Sequence, residues 1–318
     1  MSEIFFVLTL ALLLDRTIGD PPGLWARIPH PVVLFGRAID ALDRNWNRER
    51  DTPGRRRALG VLACLLLLAG AAAIGWAIHA ACLSLGFAGL LLEGVIVSIF
   101  LAQKSLAAHV SAVADGLLAS LAEGRRAVSM IVGRDPDRLD AAGVSRAAIE
   151  SLAENASDGV VAPVVAFLLA GLPGLLAYKM LNTADSMIGH LSARHRDFGW
   201  AAARLDDVAN YVPARLTAGL FALLGPRARE AWRAARRDGP RHRSVNAGWP
   251  EAAMAASLGL ALGGPRRYGE LEVDAPFLNA EGRRDAGRCD IARSLDLFRL
   301  LCGILLFFSA AGLVLSAL

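Results

Sequence analysis

Apolar positions along this chain gather into long uncharged runs separated by arginine-rich stretches, and strand-like alternation is scarce, so helices dominate the reading. The widest run, Ala58 to Gln103, carries one acid, Glu93, one histidine, His79, and no basic residue. A membrane-crossing helix needs ~20 apolar residues. The run therefore predicts two crossings, 58–81 and 86–103, joined by a tight turn around Ser84-Leu85-Gly86. The last run, 300–318, has no charge and predicts another crossing. A further run, 160–180, is interrupted by Gly171-Leu172-Pro173-Gly174. Proline and paired glycines break a straight helix, which leaves a kinked crossing or two half-helices that dip in and return. The returning version is preferred because it puts both flanking polar motifs on one side. Two short runs, 4–14 and 212–224, complete the map, the second crossing only if Arg215 snorkels to the interface. The predicted fold class is all-α: a polytopic helical membrane protein with a broken or re-entrant helix and cytoplasmic helical loops, forming one integral membrane domain over 1–318.

Composition agrees. Hydrophobic residues make up 54% of the 318, against roughly 45–50% in soluble domains, and the mean hydropathy is +0.42. Disorder and collagen are excluded. The net charge of +4 comes almost wholly from arginine, Lys104 and Lys179 being the only lysines. Because the basic residues are spread between apolar runs and not gathered in one polar arm, nucleic acid is not an expected partner. Arg44 to Arg50 and Arg55-Arg56-Arg57 precede the hairpin, and Lys104, Arg125 and Arg126 follow it. By the positive-inside rule the polar regions 15–57, 104–158, 181–211 and 225–299 face the cytoplasm of a cell inner membrane. Cys64, Cys82 and Cys302 lie in apolar runs and Cys289 stands alone, so neither a zinc site nor a disulfide framework is expected. The N-terminal run lacks a basic n-region and a small-x-small cleavage site, and reads as a retained helix.

Three polar motifs carry candidate chemistry. Glu150, Glu154 and Asp158 are spaced i, i+4, i+8, so one helix face would stack three carboxylates. Like charges at that spacing repel and call for arginine partners or a divalent metal. A merely solvated acidic face is the competing reading, weakened because Val160 onward enters the membrane. After the broken run, Asn182 and Asp185 at i, i+3 could share a metal or one ligand, and Lys179 suits a phosphate as a point charge. Arg204, Asp206, Asp207 and Asn210 follow, and then Arg215. Three such clusters beside membrane segments are best explained as one polar site. Loops near Asp20, His30 and Arg37, and from Arg237 to Glu251 with His242 and Asn246, could hold anions or simply face anionic lipid. No GxxxxGK[ST], GxSxG or HExxH occurs, and no GxGxxG follows a predicted strand. On these residues alone, a Mg²⁺-dependent membrane phosphotransferase or prenyltransferase remains open. A transporter does too, although no internal repeat is visible.

Several stretches resemble the cobalamin-biosynthesis membrane proteins of the CobD/CbiB family. They are Asp20-Pro21, His30-Pro31 to Gly36-Arg37, Glu150 to Pro163, Ala177 to Gly189, Phe198 to Leu216, and Arg237 to Gly264. The resemblance covers nearly the whole chain, and Tyr178 to Gly189 is its most specific string. Val245 stands where the family would have proline in a Ser-Pro-Asn-Ala-Gly string, which bears on that loop and not on membership. The resemblance implies an adenosylcobinamide-phosphate synthase using ATP and Mg²⁺. Such an enzyme joins the free propionate of adenosylcobyric acid to (R)-1-amino-2-propanol or its phosphate, with ATP converting the carboxylate to an acyl phosphate. On this reading Glu150, Glu154, Asp158 and Asp185 ligate metal with Asp206 or Asp207, and Lys179, Arg146, Arg204 and Arg215 serve phosphates. One carboxylate or His242 takes the ammonium proton, and Asp20, His30, Arg37, Asn155, Asn182, Asp207 and Asn246 line the substrate. Membrane lipid and other late membrane enzymes of the pathway are the remaining candidate partners; a corrinoid transporter is the contrasting function.

Overall fold

A computed structural model describes residues 2–133, 135–268, 271–273 and 275–318. It is 76% helical with almost no sheet. In chain order the helices are α1 (Ser2–Thr17), α2 (Pro22–Trp25), α3 (Pro31–Trp46), α4 (Pro53–Ser84), α5 (Phe87–Ser98), α6 (Gln103–Ala119), α7 (Leu121–Ser129) and α8 (Ala141–Ala156). A π-helical turn, Ser157–Val161, leads into α9 (Ala162–Ile188), followed by α10 (Trp200–Ala209), α11 (Tyr211–Leu224) and α12 (Ala228–Asp238). After a 3₁₀ turn, Gly239–Arg241, come α13 (Gly248–Leu258) and finally α14 (Arg288–Ala317). Before α14 lie four short strands, β1 (Leu262–Gly263), β2 (Arg266–Tyr268), β3 (Leu271–Val273) and β4 (Phe277–Leu278). They pair antiparallel, β1 with β4 and β2 with β3.

Several helix starts are written locally. Pro31 and Pro53 occupy first turns, where a missing N–H costs nothing. His30 Nδ1 accepts the Val32 N–H, Thr52 accepts the Arg55 N–H, and Asp140 accepts the Gly143 N–H. Four helical stretches are long and apolar enough to cross a membrane: Pro53–Ser84, Phe87–Ala119, Ala141–Ile188 and Arg288–Ser316. Tyr211–Leu224 is apolar but shorter. The chain is a polytopic helical membrane protein.

The contacts divide the chain into two compact units. The first comprises 2–101, 162–210 and 309–318. Here α9 packs chiefly along α4, with α3 and α10 also against it, and α1 lies on α5. A Cβ on Gly75 would come within 2.7 Å of Pro173 Cα, so the bare glycine lets the two backbones meet. Close to that contact α9 breaks. Ala170 (φ −143°, ψ 20°) and Gly171 (φ 60°, ψ −154°) leave helical geometry. Pro173 cannot donate an N–H back into this stretch, and glycine takes the positive φ without a Cβ clash. On the α4–α5 hairpin, His79 Nδ1 sits 3.0 Å from both oxygens of the buried Glu93.

The second unit comprises 102–161 and 211–308. Its centre is α13, buried from Pro250 to Leu258 and packed by α11, α12 and α8. Small side chains make this possible: Ala222, Ala231, Ala234 and Ala256 form one buried cluster. Helix α6 packs on α7 and α8.

Candidate functional site

In the first unit the richest polar face lies between α9 and α10. Tyr178, Asn182 and Asp185 follow one another at i, i+4, i+7 and so share a stripe of α9. Opposite them, α10 and its C-cap present Asp206 and Asn210. The Tyr178 hydroxyl donates to Asn210 Oδ1 at 2.9 Å, and Asn210 Nδ2 donates to Asp206 Oδ2 at 2.9 Å. Asp206 is only 9% exposed, and among the described residues its buried Oδ1 has no partner at ordinary hydrogen-bond geometry. Burial, and then the charge of Asp185, push the Asp206 carboxyl up to about 7; Asp207 adds to this, while the Asn210 and Asn182 amides partly offset it. Arg204 pairs with Asp207 at 3.4 Å. Gly189 closes the end of α9 by donating its N–H to the Asp185 carbonyl at 2.7 Å. A Cβ there would lie 1.9 Å from Asp185 Oδ1. Lys179 is half-buried on the neighbouring stripe of α9.

The other members in this unit lie around α3. Asp20 Oδ1 is 3.6 Å from His30 Nε2, whose ring also meets the Trp25 edge. Arg37 is exposed, one residue after Gly36, which rests against Met187. A buried network unmarked by any sequence motif anchors the loop after α9. Arg194 donates twice to Asp43 Oδ2, at 2.7 and 3.1 Å, and His195 approaches the same oxygen at 3.5 Å. Asn47 bridges Asp43 and the Arg194 carbonyl, while Arg56 donates to Asn47 and to that carbonyl. Burial resists the charge on Asp43, but hydrogen bonds from Asn47 and Arg194, with the Arg194 and His195 charges, hold its carboxyl below the ordinary range. The loop between α9 and α10 is thereby pinned, and with it the approach of Asp206 to Asp185.

The remaining sequence-predicted residues fall in the second unit, and each has a distinct setting. Glu150 is buried, with Oε1 accepting the Gly263 N–H at 2.7 Å. Glu154 is exposed, whereas Asp158 is half-buried within the π-helical turn. That turn changes the helical register, so the three acids do not continue as one uniform stack. Arg146 donates to the Arg284 carbonyl. Asn155 Nδ2 donates to the Ser151 carbonyl and hydroxyl. Arg215 lies over the Tyr211 ring at 3.7 Å and the Trp249 ring at 4.6 Å, and donates to Asn246 Oδ1 and the Val245 carbonyl. It thus holds the loop around Val245. His242 Nδ1 accepts the Ser244 N–H, and its Nε2 faces buried Glu251 at 3.9 Å. Both ring nitrogens are therefore engaged. Nearby, Asp238 receives Arg237 and the Asn279 N–H.

Sequence reading placed Asn210 in a polar cluster with Asp206 but missed Tyr178 as a site member, although its spacing to Asn182 is helical. Asp43, Asn47 and Arg56 are near one another in sequence, but Arg194, His195 and the carbonyls that Asn47 and Arg56 meet lie well over a hundred residues further on, so no local pattern marks the network. Among the described residues no three His, Cys, Asp or Glu side chains form a ready metal cage. Mg²⁺ does not need one, since it is usually held by one or two carboxylates plus substrate phosphates. The Asp185–Asp206 pair, with its buried Asp206 Oδ1, fits that mode.

Comparison with known proteins gives a consistent result. Residues 8–298 match the family model described as CobD/Cbib protein. The cobalamin biosynthesis protein CobD of Brucella suis biovar 1 is 57% identical over 319 residues, covering 96% of this chain and 97% of the relative. That of Brucella anthropi is 54% identical over 320 residues, covering 97% and 98%. The Rhodobacter capsulatus protein is 46% identical over 295 residues, covering 92% of each. No solved structure matches the chain.

Proposed function

Because this chain belongs to the CobD/Cbib family and has its role in cobalamin biosynthesis, we propose that it is the ligase that amidates the last free propionate of adenosylcobyric acid. The amine is (R)-1-amino-2-propanol or its phosphate, and the product adenosylcobinamide or its phosphate. A carboxylate is a poor acyl donor; bound ATP with Mg²⁺ would supply activation by phosphoryl transfer. The observation that carries the reading is Asp206 Oδ1, a buried carboxylate oxygen with no partner at ordinary hydrogen-bond geometry among the described residues, in a carboxyl that feels the charge of a second acid, Asp185. Two acids kept together in a dry place need a proton or a cation between them. Asp185 and Asp206 would hold Mg²⁺, and the half-buried Lys179 on α9 would serve phosphate. Tyr178 and Asn210 orient Asp206 from behind. Arg56, Asn47 and Asp43 fix the intervening loop. The reacting side faces the cytoplasm, where ATP is available, in keeping with the arginine-rich loops.

The test uses the full chain in lipid nanodiscs with adenosylcobyric acid, Mg²⁺, ATP and either amine. Amide product and ADP should appear together, and only when every component is present. Asp185→Asn and Asp206→Asn should each lower turnover on the order of 100-fold with the fold intact. Corrinoid crossing a vesicle bilayer without amide formation would instead establish a transporter. Full activity in Asp206→Asn would remove this pair from the mechanism.

A further inference from the structure

A cleft of about 410 Å³ opens within the second unit, between the start of α6, the turn after α7 and one face of α8. Its size is within the ~300–1,000 Å³ range of small-molecule sites and too small for a corrin with its amide fringe. Among the described residues its lining contains no Asp, Glu, Lys or Arg, so it is built for a neutral group and not for a phosphate or an ammonium. Leu106 and Met130 supply apolar surface, whereas Ser105, His109, Ser151 and Asn155 supply polar atoms.

The hydrogen bonds set what those atoms offer. The Ser105 carbonyl accepts from His109 Nδ1 at 2.7 Å, so the neutral imidazole keeps Nε2 as an acceptor. The Ser151 hydroxyl donates to the Ile131 carbonyl at 2.7 Å and ties α8 to the turn. Asn155 Nδ2 is spent on Ser151. Its Oδ1 accepts from no described residue and is left as an acceptor. Val132 and Gly133 follow the turn that ends α7, and among the described residues neither donates its N–H to another backbone carbonyl. The lining of the cleft thus includes backbone donors, a side-chain acceptor and an apolar flank. An adenine edge has the complementary order, an exocyclic amino donor next to a ring-nitrogen acceptor.

We propose that this cleft binds an adenine nucleoside, with Asn155 Oδ1 accepting from the exocyclic amino group and the Val132–Gly133 backbone donating to the ring. Met130 and Leu106 pack against the face of the base. Guanine would turn a carbonyl oxygen toward Asn155 Oδ1 and is disfavoured. The inference rests on the ligase reading above, whose reaction offers two sources of adenine: ATP, and the adenosyl group of the corrinoid.

The experiment photolabels the full chain in nanodiscs with 2-azido-ATP and maps the adduct by mass spectrometry. Label should fall within 105–109, 130–133 or 151–159, and should be protected by ATP or by adenosylcobyric acid but not by GTP. Ser105→Trp, which fills the cleft, and Asn155→Leu, which removes the acceptor, should each weaken labelling at least tenfold. Protection by ATP and a raised KM for ATP in both variants identify ATP as the occupant. Protection by adenosylcobyric acid but not by cobyric acid lacking the adenosyl group identifies the corrinoid. Label elsewhere, equal protection by GTP, or unchanged labelling in both folded variants overturns the proposal. If amide forms normally without label in the cleft, only the cleft assignment fails. Label in the cleft without amide formation refutes only the ligase reading.

Discussion

Replacing Asp206 by Asn should stabilise the protein while removing most of its activity. In the folded chain the Asp206 carboxyl is raised from 3.8 to about 7, by burial first and the Asp185 charge second. The folded state therefore holds a proton that the unfolded chain releases near pH 4. Between these values the native state binds more protons than the unfolded state, so stability falls as pH rises, and levels off above the folded value. At ~1.4 kcal/mol per pH unit, the penalty at pH 8 is about 4 kcal/mol. The amide introduced by Asp206→Asn would carry no charge and could still meet Asn210, so most of that penalty should vanish. At ~2 °C per kcal/mol for a chain of this size, Tm should rise on the order of 8 °C at pH 8 and hardly change at pH 4. Thermal unfolding in detergent, followed by circular dichroism from pH 4 to pH 8, measures both limbs. Saturating Mg²⁺ with nucleotide should raise the wild-type Tm at pH 8 by more than that of Asp206→Asn, because only the carboxylate lets a cation replace the proton. A wild-type Tm independent of pH across this window, or a variant less stable than wild type at pH 8, would refute the reasoning.

Other substitutions probe the same architecture. Gly189→Ala places a methyl against Asp185, 1.9 Å from its Oδ1 and 2.6 Å from its carbonyl; it should cost about 1–3 kcal/mol and lower turnover more than it lowers Tm. Arg56→Ala removes donors to Asn47 and to the Ala193 and Arg194 carbonyls, and should cost about 3 kcal/mol and sensitise the 189–199 loop to proteolysis. Asp43, held below its ordinary value, contributes stability that is full above pH 4 and lost as pH falls through its folded value; Asp43→Asn should flatten that acid limb in the unfolding profile. Glu93→Ala alone should destabilise the α4–α5 hairpin by about 2 kcal/mol, whereas His79→Leu with Glu93→Leu should be near neutral, as a double-mutant cycle in detergent would register.

Much of this protein was legible in the order of its residues. The apolar runs from Ala58 to Gln103 and from Leu300 to Leu318 specify helices able to cross a membrane, because transfer into lipid sums over neighbouring residues and needs no distant partner. The interruption near Pro173 was written locally too, since it follows from the absent N–H of proline and the free φ of Gly171. The acids were visible as types and spacings. Their environments were not. Glu150 and Glu154 look equivalent along the helix, yet one is closed by the Gly263 N–H and the other is exposed. Arg215 reads as a phosphate cation, but its guanidinium lies between Tyr211 and Trp249. Asp206 became distinct from Asp207 only when α10 folded against α9 and one carboxylate lost its water. Ionisation and pairing depend on which distant side chains approach and on how much solvent is displaced. Both are properties of packed tertiary structure, decided by contacts across tens to hundreds of residues.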